Sequence, residues 1–253
     1  MRKVRDWLLT VPLLVAFGLT LLVFDVAGRI VRPFSLRGFE RVMGGLQRCL
    51  MWVFRIGGTR MQIERSPLIE PRIGYALVSN HQSLFDIAVI GGVLFSNYPK
   101  YVAKKELGRW LPSISLNLRK GGNALIDRRD RIASLRAITT MARTAQERDV
   151  SVVIFPEGTR SRDGALGGFK QAGTKMMLEA ADRLDVVPVA IDGSWRLLVH
   201  NMLPVPFGTR IKVRFGDPIR RVRGDAEAVA ASAEAWIRDT LAGWRTPGAE
   251  PAT

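Results

Sequence analysis

The feature of this sequence that most constrains its fold is the alternation, from Tyr75 onward, of short apolar runs with segments of helical periodicity. This alternation is typical of α/β domains, in which helices cover a largely parallel sheet. We therefore predict the α/β class, with a mixed, largely parallel sheet flanked by helices. The predicted strands are Tyr75–Ser79, Tyr101–Ala103, Ala124–Ile126, Ser151–Phe155, Val186–Ile191 and Arg210–Phe215.

Three further segments are predicted to be helices of this domain, because their apolar residues recur every three or four positions. Asp130 can cap the first helix, whose inward face would hold Ile132, Leu135, Ile138, Met141 and Ala145. Gln171–Leu184 is the second. Asp225 can cap the last helix, whose inward face would hold Val229, Ala233, Trp236, Ile237 and Leu241.

The amino-terminal region contains a run without charge, from Leu8 to Phe24. As a helix this run would rise about 25 Å, against roughly 30 Å for the hydrocarbon core of a bilayer. A cleaved signal peptide is disfavoured, because the small residues Val26-Ala27-Gly28 directly follow Asp25. A spanning helix and a helical hairpin that dips into one leaflet both remain open.

A second amino-terminal segment, from Phe39 to Ile56, is amphipathic. Its apolar face is predicted to hold Val42, Leu46, Cys49, Leu50, Val53 and Phe54, whereas Arg41, Arg48 and Arg55 lie elsewhere. An ordinary packed helix would show the same pattern. However, residues 1–60 contain ten basic and three acidic residues, and the whole chain carries a net charge of +15. This excess favours an interface with anionic lipid. We therefore predict membrane-associated helices at 1–57, an α/β domain at 58–245 and a loose tail at 246–253.

The most informative polar cluster, Ser79 to Asp86, lies between a predicted strand and a predicted helix, where α/β domains build their sites. His81 could act as a general base, and Asp86 could orient its imidazole and stabilise the imidazolium. The alternative is that Asp86 only caps the helix and His81 is a solvated turn residue.

Other strand ends offer cations suited to binding a phosphate. Arg160 lies in the loop Pro156–Arg162, Arg128 follows Ala124–Ile126, and Lys105 follows the strand at Tyr101. Several other chemistries are disfavoured. The sequence has no G-x-S-x-G elbow, and Gly168–Lys175 resembles a P-loop with its Lys and Thr inverted. One cysteine and two histidines make a disulfide within the chain impossible and a structural zinc site improbable.

Five blocks together resemble the 1-acylglycerol-3-phosphate acyltransferases. In order, they are Asn-His-Gln-Ser-x-x-Asp, Lys-Lys-Glu-Leu-Gly, Gly-x-x-x-Ile-Asp-Arg, Phe-Pro-Glu-Gly-Thr-Arg-Ser and Val-Pro-Val-Ala-Ile. The resemblance implies that His81 deprotonates the acceptor hydroxyl and that Asp86 orients His81. It also implies that the acceptor is bound by Lys105, Arg128, Glu157, Gly158, Thr159 and Arg160. It implies no metal and no cofactor, with acyl-CoA or acyl-carrier protein as the co-substrate.

The partners implied by this resemblance are membrane lipids, the acyl donor and lysophosphatidic acid, whose sn-2 hydroxyl would be acylated to give phosphatidic acid. The expected location is the inner membrane, with the active site facing the cytoplasm. Another lysolipid acceptor, such as a lyso-ornithine lipid, stays open. So do two different functions, a thioester hydrolase and a non-catalytic basic membrane-binding protein. A nucleic-acid partner is not expected, because the α/β part has no basic stripe with stacking aromatic residues.

Overall fold

The computed structural model describes residues 2–199 and 203–246, which form seven α-helices and seven β-strands. The helices are α1 (Arg2–Val31), α2 (Leu36–Val53), α3 (Phe85–Val93), α4 (Ile114–Lys120), α5 (Arg131–Glu147), α6 (Gln171–Ala180) and α7 (Ala226–Arg245). The strands are β1 (Arg60–Arg65), β2 (Ala76–Ser79), β3 (Lys100–Lys104), β4 (Ala124–Ile126), β5 (Val152–Ile154), β6 (Val186–Asp192) and β7 (Arg210–Phe215).

The strands form one sheet in the order β1-β7-β6-β2-β5-β3-β4. The strands β6, β2, β5, β3 and β4 are parallel to one another, whereas β7 pairs antiparallel with β6 and parallel with β1. The predicted fold class, a mixed and largely parallel sheet flanked by helices, is therefore confirmed. All six predicted strands are present. The strand that the sequence did not reveal is β1, because it lies at the sheet edge and its residues are polar or partly exposed.

Two apolar cores lie on opposite faces of the sheet, because successive side chains of a strand point to opposite sides. In β2, Leu77 belongs to the core shared with α1, α2 and α3, whereas Ala76 and Val78 belong to the core shared with α5, α6 and α7. This central strand is buried throughout. Continuous burial explains why β2 appears in the sequence as an unbroken apolar run.

The predicted helices of the α/β domain are present, with two corrections. Asp130 caps α5 as predicted, since its carboxylate accepts a hydrogen bond of 2.9 Å from the Ala133 N–H. Ile132, however, is 67% exposed and does not belong to the inward face, because it lies in the first turn of α5, before the helix reaches the sheet. The helix predicted at 171–184 ends at Ala180.

The amino-terminal segments form two consecutive helices, α1 and α2, joined by a short turn. Ser35 caps α2 by accepting a hydrogen bond of 2.9 Å from the Gly38 N–H. Leu46, Leu50 and Phe54 are buried in the core, so the amphipathic face of this segment packs against protein. Cys49 was wrongly placed on that face, because it is exposed.

Within the described residues, α1 is the helix that is long and apolar enough to cross a membrane. Its apolar residues form two stripes. One stripe, with Leu13 and Leu21, is buried in the core. The other remains exposed and comprises Val4, Leu8, Val11, Val15, Leu19, Leu22, Val26 and Ile30. The division of the chain at residue 57 stays a prediction, and the predicted tail lies outside the described residues except for Thr246.

Candidate active site

The candidate site lies at the carboxyl-terminal ends of the parallel strands β6, β2 and β5, in the middle of the sheet. Because these strands are neighbours and run in the same direction, the loops that follow them emerge side by side. The loop after β2 carries His81, the loop after β5 carries Glu157 to Arg160, and the turn after β6 carries Ser194. Ligand sites of open α/β sheets occur at such carboxyl-terminal edges.

The structure brings His81 and Asp86 together. The Nδ1 atom of His81 lies 2.9 Å from Oδ2 of Asp86, and Asp86 is fully buried at the start of α3. A carboxylate that accepts from several donors is the acceptor here too, so Nδ1 donates in this contact and Nε2 is the ring nitrogen left for a substrate. The ring also stacks on Phe155, with centroids 4.0 Å apart and planes 18° apart. The imidazole is thus held in the tautomer and orientation of a general base.

Both oxygens of Asp86 are occupied by donors besides His81. Oδ2 also accepts hydrogen bonds from the N–H groups of Gln82 (2.7 Å) and Ser83 (2.8 Å). The alternative role of Asp86, organising the start of the helix, is therefore also present. Oδ1 accepts a hydrogen bond of 2.6 Å from the hydroxyl of the fully buried Ser194. These four donors fix the carboxylate against rotation.

Ser194 is a site residue that the sequence analysis missed. It follows Gly193, whose φ of 88° belongs to the left-handed region and whose added Cβ would lie 2.2 Å from the Arg210 carbonyl oxygen. Only glycine fits there, and the serine that follows this turn donates its hydroxyl to Asp86. The sequence signal that could have revealed it is the Gly-Ser pair directly after a predicted buried strand. The carboxyl end of that strand lies beside the carboxyl end of the strand before His81.

Glu157 joins the loops on either side of His81. One carboxylate oxygen accepts a hydrogen bond from the His81 N–H at 2.7 Å, and the other accepts from the Gly167 N–H at 2.8 Å. The Ser161 N–H also donates to the His81 carbonyl oxygen at 2.8 Å. Burial raises the pKa of the Glu157 carboxyl, and the two N–H donors oppose that rise. Glu157 therefore positions the backbone around His81.

A second set of contacts holds the same loops from the other side. The Gln82 side-chain amide donates to the Gly164 carbonyl oxygen and to Asp192 Oδ1, both at 3.3 Å. Arg245, in the last turn of α7, donates to the same two oxygens at 2.6 and 2.7 Å. The loop after β5 is thereby fastened to the ends of β2 and β6, beside His81.

The predicted phosphate ligands follow the carboxyl-terminal ends of three different strands. Thr159 and Arg160 are exposed and directly precede Ser161, so they lie beside the His81 loop, and Gly158 has the left-handed φ of 66° that glycine favours. Lys105 forms an ion pair with Asp127, after β3 and β4. Arg128 is exposed and follows β4, three strands from β2, or about 14 Å across the sheet.

This arrangement is suited to removing a proton from a hydroxyl group next to an anionic substituent. In such a step His81 would be the base and Asp86 and Ser194 would hold its ring, and Arg160 directly precedes Ser161, whose N–H bonds the His81 carbonyl oxygen. Among residues 2–199 and 203–246, no group of three or more histidine, cysteine or acidic side chains is arranged to hold a metal ion. The chemistry that the side chains themselves offer is general base catalysis.

Comparison with known proteins assigns the family. The model of a family described as Acyltransferase matches residues 60–192. A 1-acyl-sn-glycerol-3-phosphate acyltransferase from Cocos nucifera is 33% identical over 179 residues, which are 68% of this chain and 53% of the relative. One from Limnanthes douglasii is 31% identical over 190 residues, which are 72% of this chain and 60% of the relative. The chain thus spans between half and two thirds of the length of these relatives.

A solved structure has the same fold. The crystal structure of the 1-acyl-sn-glycerophosphate acyltransferase PlsC from Thermotoga maritima superposes with a TM-score of 0.77 and 21% identity, covering 99% of this chain and 100% of that one. At this identity the likeness concerns the fold. The family match covers more than half of the chain, and it includes His81, Asp86 and the loop after β5. The chain therefore belongs to the acyltransferase family.

Proposed function

We propose that this protein is a 1-acylglycerol-3-phosphate O-acyltransferase. It transfers a fatty acyl group from acyl-CoA or acyl-carrier protein to the sn-2 hydroxyl of 1-acylglycerol-3-phosphate and produces phosphatidic acid. The observation that carries this proposal is the His81–Asp86 pair at 2.9 Å, beside a loop with an exposed arginine. The names of the relatives support the acceptor.

The proposed reaction needs only the groups of the site and the two substrates. Nε2 of His81 takes the proton of the sn-2 hydroxyl, and the oxygen attacks the thioester carbonyl carbon. The imidazolium that forms is stabilised by Asp86, whose second oxygen Ser194 holds. When the tetrahedral intermediate collapses, the C–S bond breaks, and His81 returns the proton to the thiolate. The products are phosphatidic acid and a free thiol, and the enzyme is regenerated.

The residues of the acceptor site have separate proposed roles. Arg160 binds the phosphate, together with Gly158 and Thr159 of the same loop. Lys105 and Arg128 contribute from β3 and β4, at the outer end of the acceptor site. Glu157 belongs to this block through its position, and its two occupied oxygens favour a role in shaping the loop.

The proposed location is the inner membrane, with the site facing the cytoplasm, where both acyl donors occur. The exposed apolar stripe of α1 supports membrane association, because solvent contact of so many large apolar side chains along one helix is unfavourable.

The experiment that tests the proposal is an assay of the full-length protein in detergent with acyl-CoA or acyl-carrier protein and a panel of lysolipid acceptors. Products would be identified by mass. We expect phosphatidic acid from lysophosphatidic acid, no product from folded His81→Ala, and a severe loss of product from Asp86→Asn. Thiol release at the same rate without acceptor would indicate a thioester hydrolase. Preferential acylation of a lysolipid without phosphate would replace the proposed acceptor.

The role of Arg160 can be separated from catalysis. Losing a charge-assisted contact of about 1.5–3 kcal/mol should lower the acceptor kcat/KM of Arg160→Ala roughly ten- to hundred-fold. The donor KM should hardly change, and Arg160→Lys should recover only part of the loss. Arg128→Ala tests the outer position. Arg223→Ala is the matched control. Arg223 is exposed and lies in the segment that precedes α7, near the amino-terminal ends of the parallel strands and away from the site. If Arg160→Ala and Arg128→Ala both keep the wild-type preference for a phosphorylated acceptor, the assignment of these arginines to the phosphate is wrong.

A further inference from the structure

A surface patch lies where the carboxyl-terminal end of α1 meets the segment before α4. Its aromatic members are Phe34, 87% exposed, and Trp110, 93% exposed. The same two segments carry the cations Arg29, Arg32, Arg109, Arg119 and Lys120. We refer to these seven residues as the Trp110 patch. None of them is used by the chemistry described above.

Two contacts bring the halves of the Trp110 patch together. Asp25 of α1 accepts a hydrogen bond of 2.6 Å from the Ser113 N–H, three residues after Trp110. Arg32 donates to the Lys120 carbonyl oxygen at 3.1 Å, at the end of α4. The aromatic tip is therefore attached to the last turns of α1 and does not project from an isolated loop.

The backbone presents the Trp110 ring to the outside. Trp110 has a φ of 75° and Ser113 a φ of 52°, both in the left-handed region that non-glycine residues rarely adopt. The Leu111 N–H donates to the Ser115 hydroxyl at 3.0 Å, and the Ser115 N–H donates back to the Leu111 carbonyl oxygen at 2.9 Å. These two bonds close the turn onto the start of α4, and the Trp110 side chain remains 93% exposed.

The Trp110 patch continues the exposed apolar stripe of α1. Leu22, Val26 and Ile30 follow one another at intervals of four residues, and Phe34 extends the series beyond the helix. Leu22, Val26 and Ile30 therefore lie on one face of α1, and Phe34 lies in the turn that directly follows the helix. The patch carries five cations, and the carboxylate of Asp25 beside them is already bonded to Arg29 and to the Ser113 N–H. The patch therefore combines aromatic side chains with excess positive charge.

We infer that the Trp110 patch is a second membrane-insertion site, in which Trp110 and Phe34 enter the interface of an anionic phospholipid bilayer beside α1. Indole rings favour the boundary between headgroups and acyl chains, and arginine and lysine favour anionic headgroups. Because Trp110 follows Lys105 by five residues, insertion would bring the outer end of the proposed acceptor site to the lipid surface. The inference rests on the membrane association proposed above.

The test measures the environment of single fluorescent labels on the full-length protein in vesicles. In a Cys49→Ser background, an environment-sensitive label would be attached at Trp110→Cys, at Leu19→Cys on the α1 stripe, or at Leu68→Cys. Leu68 is the matched control, because it is 61% exposed and lies in the segment before β2, at the amino-terminal ends of the parallel strands. Vesicles would contain phosphatidylcholine alone or with phosphatidylglycerol, and quenchers would be carried at a shallow or a deep position of the lipid.

The expected result is that the labels at positions 19 and 110 shift to the blue and are quenched from within the bilayer, position 110 by the shallow quencher. The label at position 68 should not respond. Replacing Arg109, Arg119 and Lys120 by glutamine should reduce the advantage of anionic vesicles, by about five-fold in partitioning for each cation. Arg223→Gln should leave it unchanged.

Two outcomes would overturn the inference alone, and a third would also overturn the proposed membrane association. Insertion at position 19 with a water-exposed label at position 110 would refute the membrane role of the Trp110 patch alone. A label at position 110 that resists lipid-borne quenchers and responds to the protein-to-lipid ratio would indicate contact with a second copy of the chain. If neither label inserts, the proposed membrane association is wrong as well.

Discussion

The helices α1 and α2 are adjacent in the sequence and both rich in apolar residues, yet the fold uses them differently. In α1, apolar residues such as Val15 and Leu19 are more than half exposed. In α2, Leu46 and Leu50 are buried in the core shared with the sheet. The core also includes Phe54, directly after α2, whose ring lies 4.3 Å from that of Phe85, the residue before Asp86.

The difference shows that the placement of charged residues on a helix predicts how the helix packs better than its apolar content does. In α1 the uncharged run leaves apolar residues on every face, so only one side can be covered by protein. In α2 the arginines lie on one side, and the opposite face is free to pack. The one acidic residue of α2, Glu40, is buried, and it joins the helix to the domain by ion pairs with Lys100 and Arg148. The helix α2 therefore shares its core with the sheet.

The largest expected effect comes from deleting the two helices in turn. Removal of residues 2–33 takes Leu13 and Leu21 out of the core, so it should leave a folded domain of lower stability in detergent, with weakened membrane binding. Removal of residues 2–57 should prevent folding, because the core loses Phe39, Leu46 and Phe54. Each buried residue of this kind contributes about 2–5 kcal/mol, against a total stability of roughly 5–15 kcal/mol. Circular dichroism and thermal unfolding would measure this, and a cooperatively folded fragment beginning at residue 58 would contradict our interpretation of α2.

An intermediate effect is expected at the buried ion cluster of α2. Glu40 accepts hydrogen bonds from Lys100 Nζ at 2.6 Å and from Arg148 at 2.9 and 3.0 Å. Glu40→Gln would leave Lys100 buried without its anionic partner, and breaking such a pair costs about 3–5 kcal/mol. The matched control on α1 is Asp25→Asn, which keeps an acceptor for the Ser113 N–H and should cost about 1 kcal/mol or less. Equal losses in thermal unfolding would remove the contrast between the helices.

The same variant should show a distinctive pH dependence. Burial lowers the pKa of Lys100 to about 8, and the attraction of Glu40 opposes that shift. Without Glu40 the folded-state pKa falls further, whereas the unfolded pKa is unchanged. The unfolded state then binds more protons over a wider range, so the stability of the variant rises more steeply with pH. The deficit of Glu40→Gln relative to wild type should therefore be smaller near pH 8 than near pH 6. A constant deficit would place its cause elsewhere.

How far the sequence predicts this molecule depends on how local the relevant physics is. Ala124–Ile126 and Arg210–Phe215 were predicted to the residue, because the first is a short apolar run and the second alternates polar and apolar residues along its length. The His81–Asp86 pair was predicted because the two residues are five apart. The contact of Ser194 with Asp86 spans 108 residues and depends on the pairing of β6 with β2, which no local pattern encodes. The sequence left the partner of α2 open for the same reason, since an amphipathic face fits lipid and protein equally well.

The smallest expected effect on stability is at the exposed stripe of α1. Leu19 is 57% exposed, so Leu19→Ala should change the free energy of unfolding in detergent by no more than about 0.5 kcal/mol. The same substitution at Leu46, which is 3% exposed, leaves a cavity in the core and should cost about 2–5 kcal/mol. Vesicle flotation should reverse the order of the two variants. Leu19→Ala, combined with Val15→Ala, removes apolar surface that lipid would cover, at about 0.8 kcal/mol per buried CH₂, whereas folded Leu46→Ala keeps the whole stripe. If both variants bind vesicles as the wild type does, the α1 stripe does not carry membrane association, and the contrast between the helices holds only for packing.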